Sequence, residues 1–166
     1  MKHTMMIISI LFTLLTACTK AAVPSPDPEP SGYTSNVNKS VLLKLVNDTR
    51  AKGCKCGDTY YPAAPAVTWN DQLEKAAFAH AADMYEKDYF AHIAPDGSNA
   101  GIRIERAGYI WKTYGENIAA GFTTEQSVVE GWILSVSHCK NIMNRSFKEM
   151  GVGRAGAVWA QEFASR

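Results

Sequence analysis

Charge of one sign, long apolar runs, histidine and cysteine are all scarce in this chain of 166 residues, and each scarcity excludes something. Seventeen Lys and Arg stand against sixteen Asp and Glu, for a formal net charge of +1. No basic stripe with interleaved aromatics occurs, so nothing here recruits nucleic acid or another polyanion. Past the N-terminal end no apolar run is long enough to span a bilayer. No segment repeats. No His-Glu-x-x-His and no nucleophile elbow is present, which removes two local signatures of zinc and serine hydrolases. Of the four histidines, His3 lies in the N-terminal segment. That leaves His80, His92 and His138 for any imidazole chemistry.

What is there begins with a leader. Lys2 followed by "MMIISILFTLL" has the charge and length of a signal peptide. It closes on Leu15-Thr16-Ala17-Cys18, similar to a bacterial lipobox, in which cleavage leaves an acylated Cys18 as the new N-terminus. The alternative is an ordinary secretory signal with a coincidental cysteine. Thr19 after Cys18 is not the Asp of inner-membrane retention, which favours the outer membrane or cell surface. The following "AAVPSPDPEPSG" has Pro at every second position from Pro24 to Pro30. Such a stretch cannot form a helix or central strand and favours extended polyproline II. At ~3.1 Å per residue, it could hold a domain up to about 60 Å from the membrane. The expected organisation is a signal over 1–17, a tether over 18–39 and one globular domain over 40–166.

Within that domain, Val41, Leu42, Leu45 and Val46 share one face of a helix that Gly53 would stop. "CKCGDTYYPAAPAVTW" reads as a loop. Asn70 caps a second helix running from Asp71 to about Lys87, with Leu73, Ala76, Ala77 and Met84 on its apolar side. A short helix is expected around Arg103 to Arg106, and "TYGENIAAG" as a short buried strand. Thr123 to Gln126 has the form of a capping box opening a helix through Val128, Val129 and Trp132. "SVSHCKNIM" begins another helix, and "MGVGRAGAVWAQEF" reads as two strands about a glycine turn. The class is α+β, with helices on both sides of a small sheet.

One carboxylate needs explaining. Glu116 sits in "YGENIAAG", among small apolar residues, and burying it without partners would cost several kcal/mol. His80 lies mid-helix among alanines and reads as a hydrogen-bonded core histidine. His92, in "YFAHIAPDGS", lies at a loop just beyond a helix end, where functional residues concentrate. His138 lies three residues after Ser135, so the two could share a helix face.

Val67-Thr68-Trp69-Asn70 with Leu73, Ala76 and Ala77, then "HAADM", "YFAH", "GY", "GENIAAG", "VVEGWILS", "SHCKNIM", "MGVG" and "VWAQEFA", recur in this order in the CAP superfamily. Over Val41 to Ala164 the chain resembles its bacterial, SCP-like extracellular branch. The resemblance implies an α-β-α sandwich around a central antiparallel sheet, with a cleft floored by two histidines and two acids. His92 matches the first histidine, Glu116 the acid of "GEN", and His138 the second histidine. The position assigned to the other acid holds Ser135, so one carboxylate is missing from the tetrad His92, Glu116, Ser135, His138.

Three uses of the tetrad compete. Ser135, His138 and Glu116 have the residue types of a Ser-His-acid hydrolase without its surrounding motifs. His92, His138 and Glu116 have the types of a zinc site, with no second carboxylate to serve as general base. The third use is a binding cleft for a lipid, peptide or envelope component, the roles to which the resemblance points. A purely structural tetrad, pinning helices to the sheet, is the plain alternative. The favoured expectation is a lipid-anchored extracytoplasmic binding module that requires no cofactor and whose cleft has the residue types for a divalent metal such as zinc; a metal-dependent or Ser-His-Glu hydrolase acting on envelope or extracellular substrates stays open as the alternative.

Exported proteins favour disulfides. With Cys18 acylated, Cys54, Cys56 and Cys139 remain. Cys54 and Cys56 are too close for an unstrained bridge, so one of them should reach Cys139, and the resemblance favours Cys56. A loop of some eighty residues closed this way contributes roughly 4.5 kcal/mol in the chain-entropy model. The alternative is a thiolate-rich metal site that includes His138.

Overall fold

A computed structural model describes residues 36–166. The signal segment, Cys18 and nearly all of the tether lie outside them. Helix α1 (Lys39–Lys52) opens on Asn38, whose side chain accepts from the Val41 amide at 3.2 Å. Its buried face is Leu42, Val46 and Arg50, spaced four apart. Gly53 stops it at φ 72, where a Cβ would also meet the Tyr61 carbonyl at 2.7 Å. The stretch read as a loop then forms a hairpin, β1 (Cys54–Cys56) and β2 (Thr59–Tyr61), turning at Gly57 with φ 63. The two prolines of that stretch, Pro62 and Pro65, lie just beyond it.

Strand β3 (Thr68–Trp69) leads to α2 (Asp71–Glu86), where the Asn70 side chain accepts from the Gln72 and Leu73 amides. Next come α3 (Ala100–Arg106), β4 (Thr113–Ala120), α4 (Glu125–Leu134), α5 (Val136–Met143), β5 (Glu149–Ala155) and β6 (Val158–Ser165). The α4 capping box is set one residue later than expected: Thr124 caps, and Ser127 closes the box in place of Gln126. The main sheet has the order β3-β5-β6-β4 and is antiparallel except for the two-residue parallel pairing of β3 with β5. No helix among the described residues is long and apolar enough to cross a membrane.

Strand alternation sorts the sheet into two faces. Met150, Val152, Trp159 and Phe163 join Leu42 and Val46 of α1, Val128, Val129 and Trp132 of α4, and Ile142 and Met143 of α5 in the larger core. On the other face, Ala160, Ala164 and Ile118 pack against the alanine-rich side of α2. Here Gly151 and Gly153 let the α2 backbone approach β5. A Cβ on Gly153 would lie 2.2 Å from the Phe78 backbone, and one on Gly151 would lie 2.1 Å from the Glu74 amide nitrogen. Helices therefore cover both faces of the sheet, and β4 forms one edge.

Candidate functional site: a buried carboxylate at the sheet edge

The β4–β6 register places Glu116 directly opposite Glu162, both on the α2 face. Glu116 is 8% exposed and Glu162 fully buried. Three cationic or imidazole side chains converge on Glu116. His92 Nδ1 donates to Oε1 at 2.6 Å, and Arg103 Nη2 of α3 donates to Oε2 at 2.5 Å. His80 Nε2 of α2 lies 3.7 Å from the same Oε2.

These groups also hold the loop that carries His92. His80 Nε2 donates to the Ala91 carbonyl at 3.0 Å, which fixes its tautomer. Arg103 donates to the His92 carbonyl at 3.1 Å and to the Ser98 carbonyl at 2.9 Å. With Ala91 and His92 both pinned through their backbone, the half-exposed His92 ring is pre-oriented. On the far face of β4, Asn141 of α5 donates to the Glu116 carbonyl and to Asn117 Oδ1. Asn117 in turn donates to the His138 carbonyl at 3.3 Å. The edge strand is thus clamped from both sides.

Burial alone would push the Glu116 carboxyl up, but the His92 hydrogen bond and the Arg103 charge outweigh it and hold the group below the ordinary range. The same hydrogen bond raises the His92 pKa against its partial burial. His80 is pushed down, first by burial. His138 is lowered by burial and then by the charge of nearby His92. Glu162 moves furthest in the other direction, through burial and the adjacent Glu116 charge. Neither Glu162 oxygen receives a hydrogen bond from any N–H or O–H donor. The pair is satisfied when Glu162 keeps its own proton and donates it to Glu116.

Keeping that proton above the ordinary carboxyl range costs about 1.4 kcal/mol for each pH unit by which the solution lies above it. Glu162→Gln supplies an amide donor without the cost. It is expected to raise stability at pH 7 and to flatten the fall in stability as pH rises above 4.5, since there the folded wild type holds more protons than the unfolded chain. Urea melts from pH 4 to pH 8 check this, and a Gln variant less stable than wild type at pH 7 would refute it.

His92, Ile93, Asn99, Ala100, Tyr114 and Glu116 line a cavity of about 260 Å³. Phe90 and Ile93, each about half exposed, flank His92 and give it an apolar rim. A second hollow of about 350 Å³, lined by Gly108, Ile110, Trp111, Lys112 and Arg166, holds none of the Glu116 cluster.

Of the sequence-derived tetrad, the structure joins His92 to Glu116 and sets His138 where the His92 charge is felt. It does not bring in Ser135, which sits at the α4–α5 junction with its hydroxyl 3.4 Å from that of Ser137. Among the described residues no hydrogen bond links Ser135 to His138, or His138 to Glu116, so the relay of a Ser-His-acid hydrolase is not assembled. Both Glu116 oxygens are committed, so Glu116 fits a metal centre as the carboxylate that orients a histidine and not as a ligand. His92 Nε2 and the His138 ring remain as donors.

Arg103 and Glu162 escaped the sequence reading, whereas His80, read as a hydrogen-bonded core histidine, is one and also faces Glu116. Glu162 carried a usable signal: it shares strand parity with Ala160 and Ala164 and so had to face inward. Cys56 and Cys139 form the disulfide, with Cα atoms 5.5 Å apart at a sequence separation of 83. Cys54 is free.

The family model for the cysteine-rich secretory protein family, CAP, matches residues 43–158. An uncharacterized protein of Bacillus subtilis, YkwD, is 38% identical over 99 residues, covering 58% of this chain and 38% of that protein. A Bacillus subtilis membrane protein of the same standing, YlbC, is 32% identical over 60% of this chain and 29% of its own length. The chain therefore spans well under half of either relative. Among solved structures, an extracellular SCP-domain protein of Bacillus anthracis superposes with a TM-score of 0.69 at 28% identity, over 76% of this chain and 40% of that one. An outer surface protein of Borrelia burgdorferi gives 0.64 at 22% identity, over 76% and 91%. NaASP2, solved with Zn2+, gives 0.56 at 15% identity, over 81% and 82%, which is a likeness of fold alone. By the matched length, the ordered motifs and the sandwich itself, this chain belongs to the CAP family.

Proposed function

We propose that the chain is an extracytoplasmic binding module, anchored to the membrane through an acylated Cys18, whose cleft binds its ligand at His92. The observation that carries this reading is the investment in one half-exposed ring. A buried carboxylate, a buried arginine and a buried histidine all serve to fix His92 and its loop. A structural ion pair needs none of its members at a surface cavity, yet the His92 side chain is 54% exposed there. Nδ1 is occupied by Glu116, so Nε2 is the end offered to a ligand.

At about 260 Å³ the cavity lies below the ~300–1,000 Å³ usual for drug-sized ligands. That size suits a divalent ion at His92 Nε2, to which His138, outside the cavity lining, would add a second imidazole, or one polar group of a peptide lying along Phe90 and Ile93. It disfavours a sterol or an acyl chain. Carboxylate-backed imidazole is the usual arrangement of a metal-bound histidine, and two imidazoles give modest affinity with positions left for water or a ligand atom. Zinc accompanies the same fold in NaASP2. Binding is favoured over turnover because, among the described residues, no nucleophile is paired with a base at the cleft and Glu116, the one carboxylate lining the cavity, is engaged by His92 and Arg103.

The extracellular and surface character of the Bacillus anthracis and Borrelia burgdorferi proteins supports an extracytoplasmic setting. Attachment rests on Leu15-Thr16-Ala17-Cys18 and the Pro-rich segment after it. Expressed in a bacterial host, Cys18→Ser is expected to move the protein from the detergent phase to the soluble extracytoplasmic fraction. A variant that still partitions with membranes would end the anchor reading and leave the cleft reading untouched.

A further inference from the structure

The disulfide does not account for all the sulfur around it. Cys54 and Cys56 are two apart on β1, so both side chains emerge on the same side of the strand, toward Cys139 of α5. Cys54 Sγ lies 3.4 Å from Cys139 Sγ and 4.0 Å from Cys56 Sγ. Among the described residues this is the one set of three His, Cys, Asp or Glu side chains whose donor atoms all lie within 4.8 Å of one another. Cys56 and Cys139 are buried, and Cys54 is partly exposed, which leaves one way in from solvent.

We propose that Cys54, Cys56 and Cys139, once the disulfide is reduced, form a three-thiolate site for a zinc-like divalent cation. Zinc–thiolate bonds of about 2.3 Å in a tetrahedron put the sulfurs roughly 3.8 Å apart. Two edges of the Cys54–Cys56–Cys139 triangle, at 3.4 and 4.0 Å, already bracket that value. The third edge is the covalent bond, and breaking it lets Cys56 and Cys139 relax apart by small side-chain rotations. The hairpin and α5 hold the three Cα positions in either state, and the fourth position opens beside Cys54 for water.

The chemistry balances with a dithiol reductant of the thioredoxin class. It transfers two electrons and two protons to the Cys56–Cys139 bond, becoming a disulfide itself and leaving two new thiols. With Cys54 these make three thiols, and the cation displaces their three protons to form three metal–sulfur bonds. Cys54 has no part in the disulfide, and the site gives it one. This centre is independent of the His92 cleft and does not rest on the reading of that cleft.

The test uses the folded domain, reduced with a phosphine under anaerobic conditions and titrated with Co2+ as a tetrahedral optical probe, with near-ultraviolet circular dichroism to follow the fold. One equivalent is expected to give thiolate-to-cobalt charge-transfer absorption, bleached on adding Zn2+. Oxidised wild type should give none. Cys54→Ser, which keeps the disulfide when oxidised, is expected to bind at least tenfold more weakly when reduced and to lose about a third of the charge-transfer intensity. His92→Ala with His138→Ala should leave the signal unchanged. The proposal is overturned by reduced wild type that shows no such absorption, by a Cys54→Ser spectrum equal to wild type, or by loss of the native dichroism with and without Co2+.

Discussion

Arg103→Met is expected to cost about 3–5 kcal/mol at neutral pH, the penalty of leaving a buried carboxylate without its cation. For a domain of this size that is a fall in Tm of roughly 10 °C. Arg103 is 7% exposed, and its guanidinium joins Glu116, the His92 carbonyl and the Ser98 carbonyl. Methionine fills similar space and makes none of these bonds. The deficit should depend on pH in a defined direction. Glu116 has a lowered folded pKa, so its contribution is complete above the ordinary value of 4.5 and is lost as pH falls through the lowered one. Wild type and variant should therefore converge in acid. Denaturation at pH 7 and pH 3 measures both effects. A loss under 1 kcal/mol at pH 7, or a gap that widens in acid, would contradict the assigned ion pair.

Gly153→Ala should be as damaging without touching any charge. The added methyl would lie 2.2 Å from Phe78 N and Cα, and helix backbone cannot swing aside as a side chain can. Helix α2 must lift from β5, loosening the Ala77, Ala81 and Ala160 contacts below it. Overpacking of this kind costs typically 1–3 kcal/mol when side chains can adjust, and about 3 kcal/mol or more is expected where backbone must move. Because α2 also carries His80, the loop before His92 should loosen too. Thermal melts with limited proteolysis at residues 87–99 test this. A variant melting within 2 °C of wild type would show that the helix–sheet spacing is softer than the packing implies.

The sequence announces its helices through local chemistry. Asn38 and Asn70 cap as asparagine should, and Gly53 ends α1 by adopting a conformation other residues resist. The capping box missed by one residue because two adjacent threonines offer the same side chain, and Ser127 favours the second. The β1–β2 hairpin was hidden by its shortness and by the two prolines that follow it. In the site, His92 and Glu116 were legible because each is a polar residue in an apolar or turn-rich setting. Arg103 was not, and His80 was legible only as a hydrogen-bonded core histidine, since the tie of each to Glu116 exists only once α3 and α2 are packed on one face of the sheet. Ser135 fell out for the reverse reason: nearness to His138 along the chain suggested a shared face, and the break between α4 and α5 turns its hydroxyl to Ser137.

The central claim is that Glu116 and its partners exist to present His92 in the cleft, and calorimetric titration of the disulfide-intact domain with Zn2+ near neutral pH tests it most directly. The domain spanning residues 36–166, its His92→Ala and His138→Ala variants, and the pair combined would be titrated, with Tm recorded for each. One weak site is expected in wild type, lost as the histidines protonate in acid. It should weaken at least tenfold in each single variant and vanish in the pair, with Tm lowered by only a few degrees. No Zn2+ binding by wild type, together with strong destabilisation by each substitution, would show instead that the cluster only pins helices to the sheet.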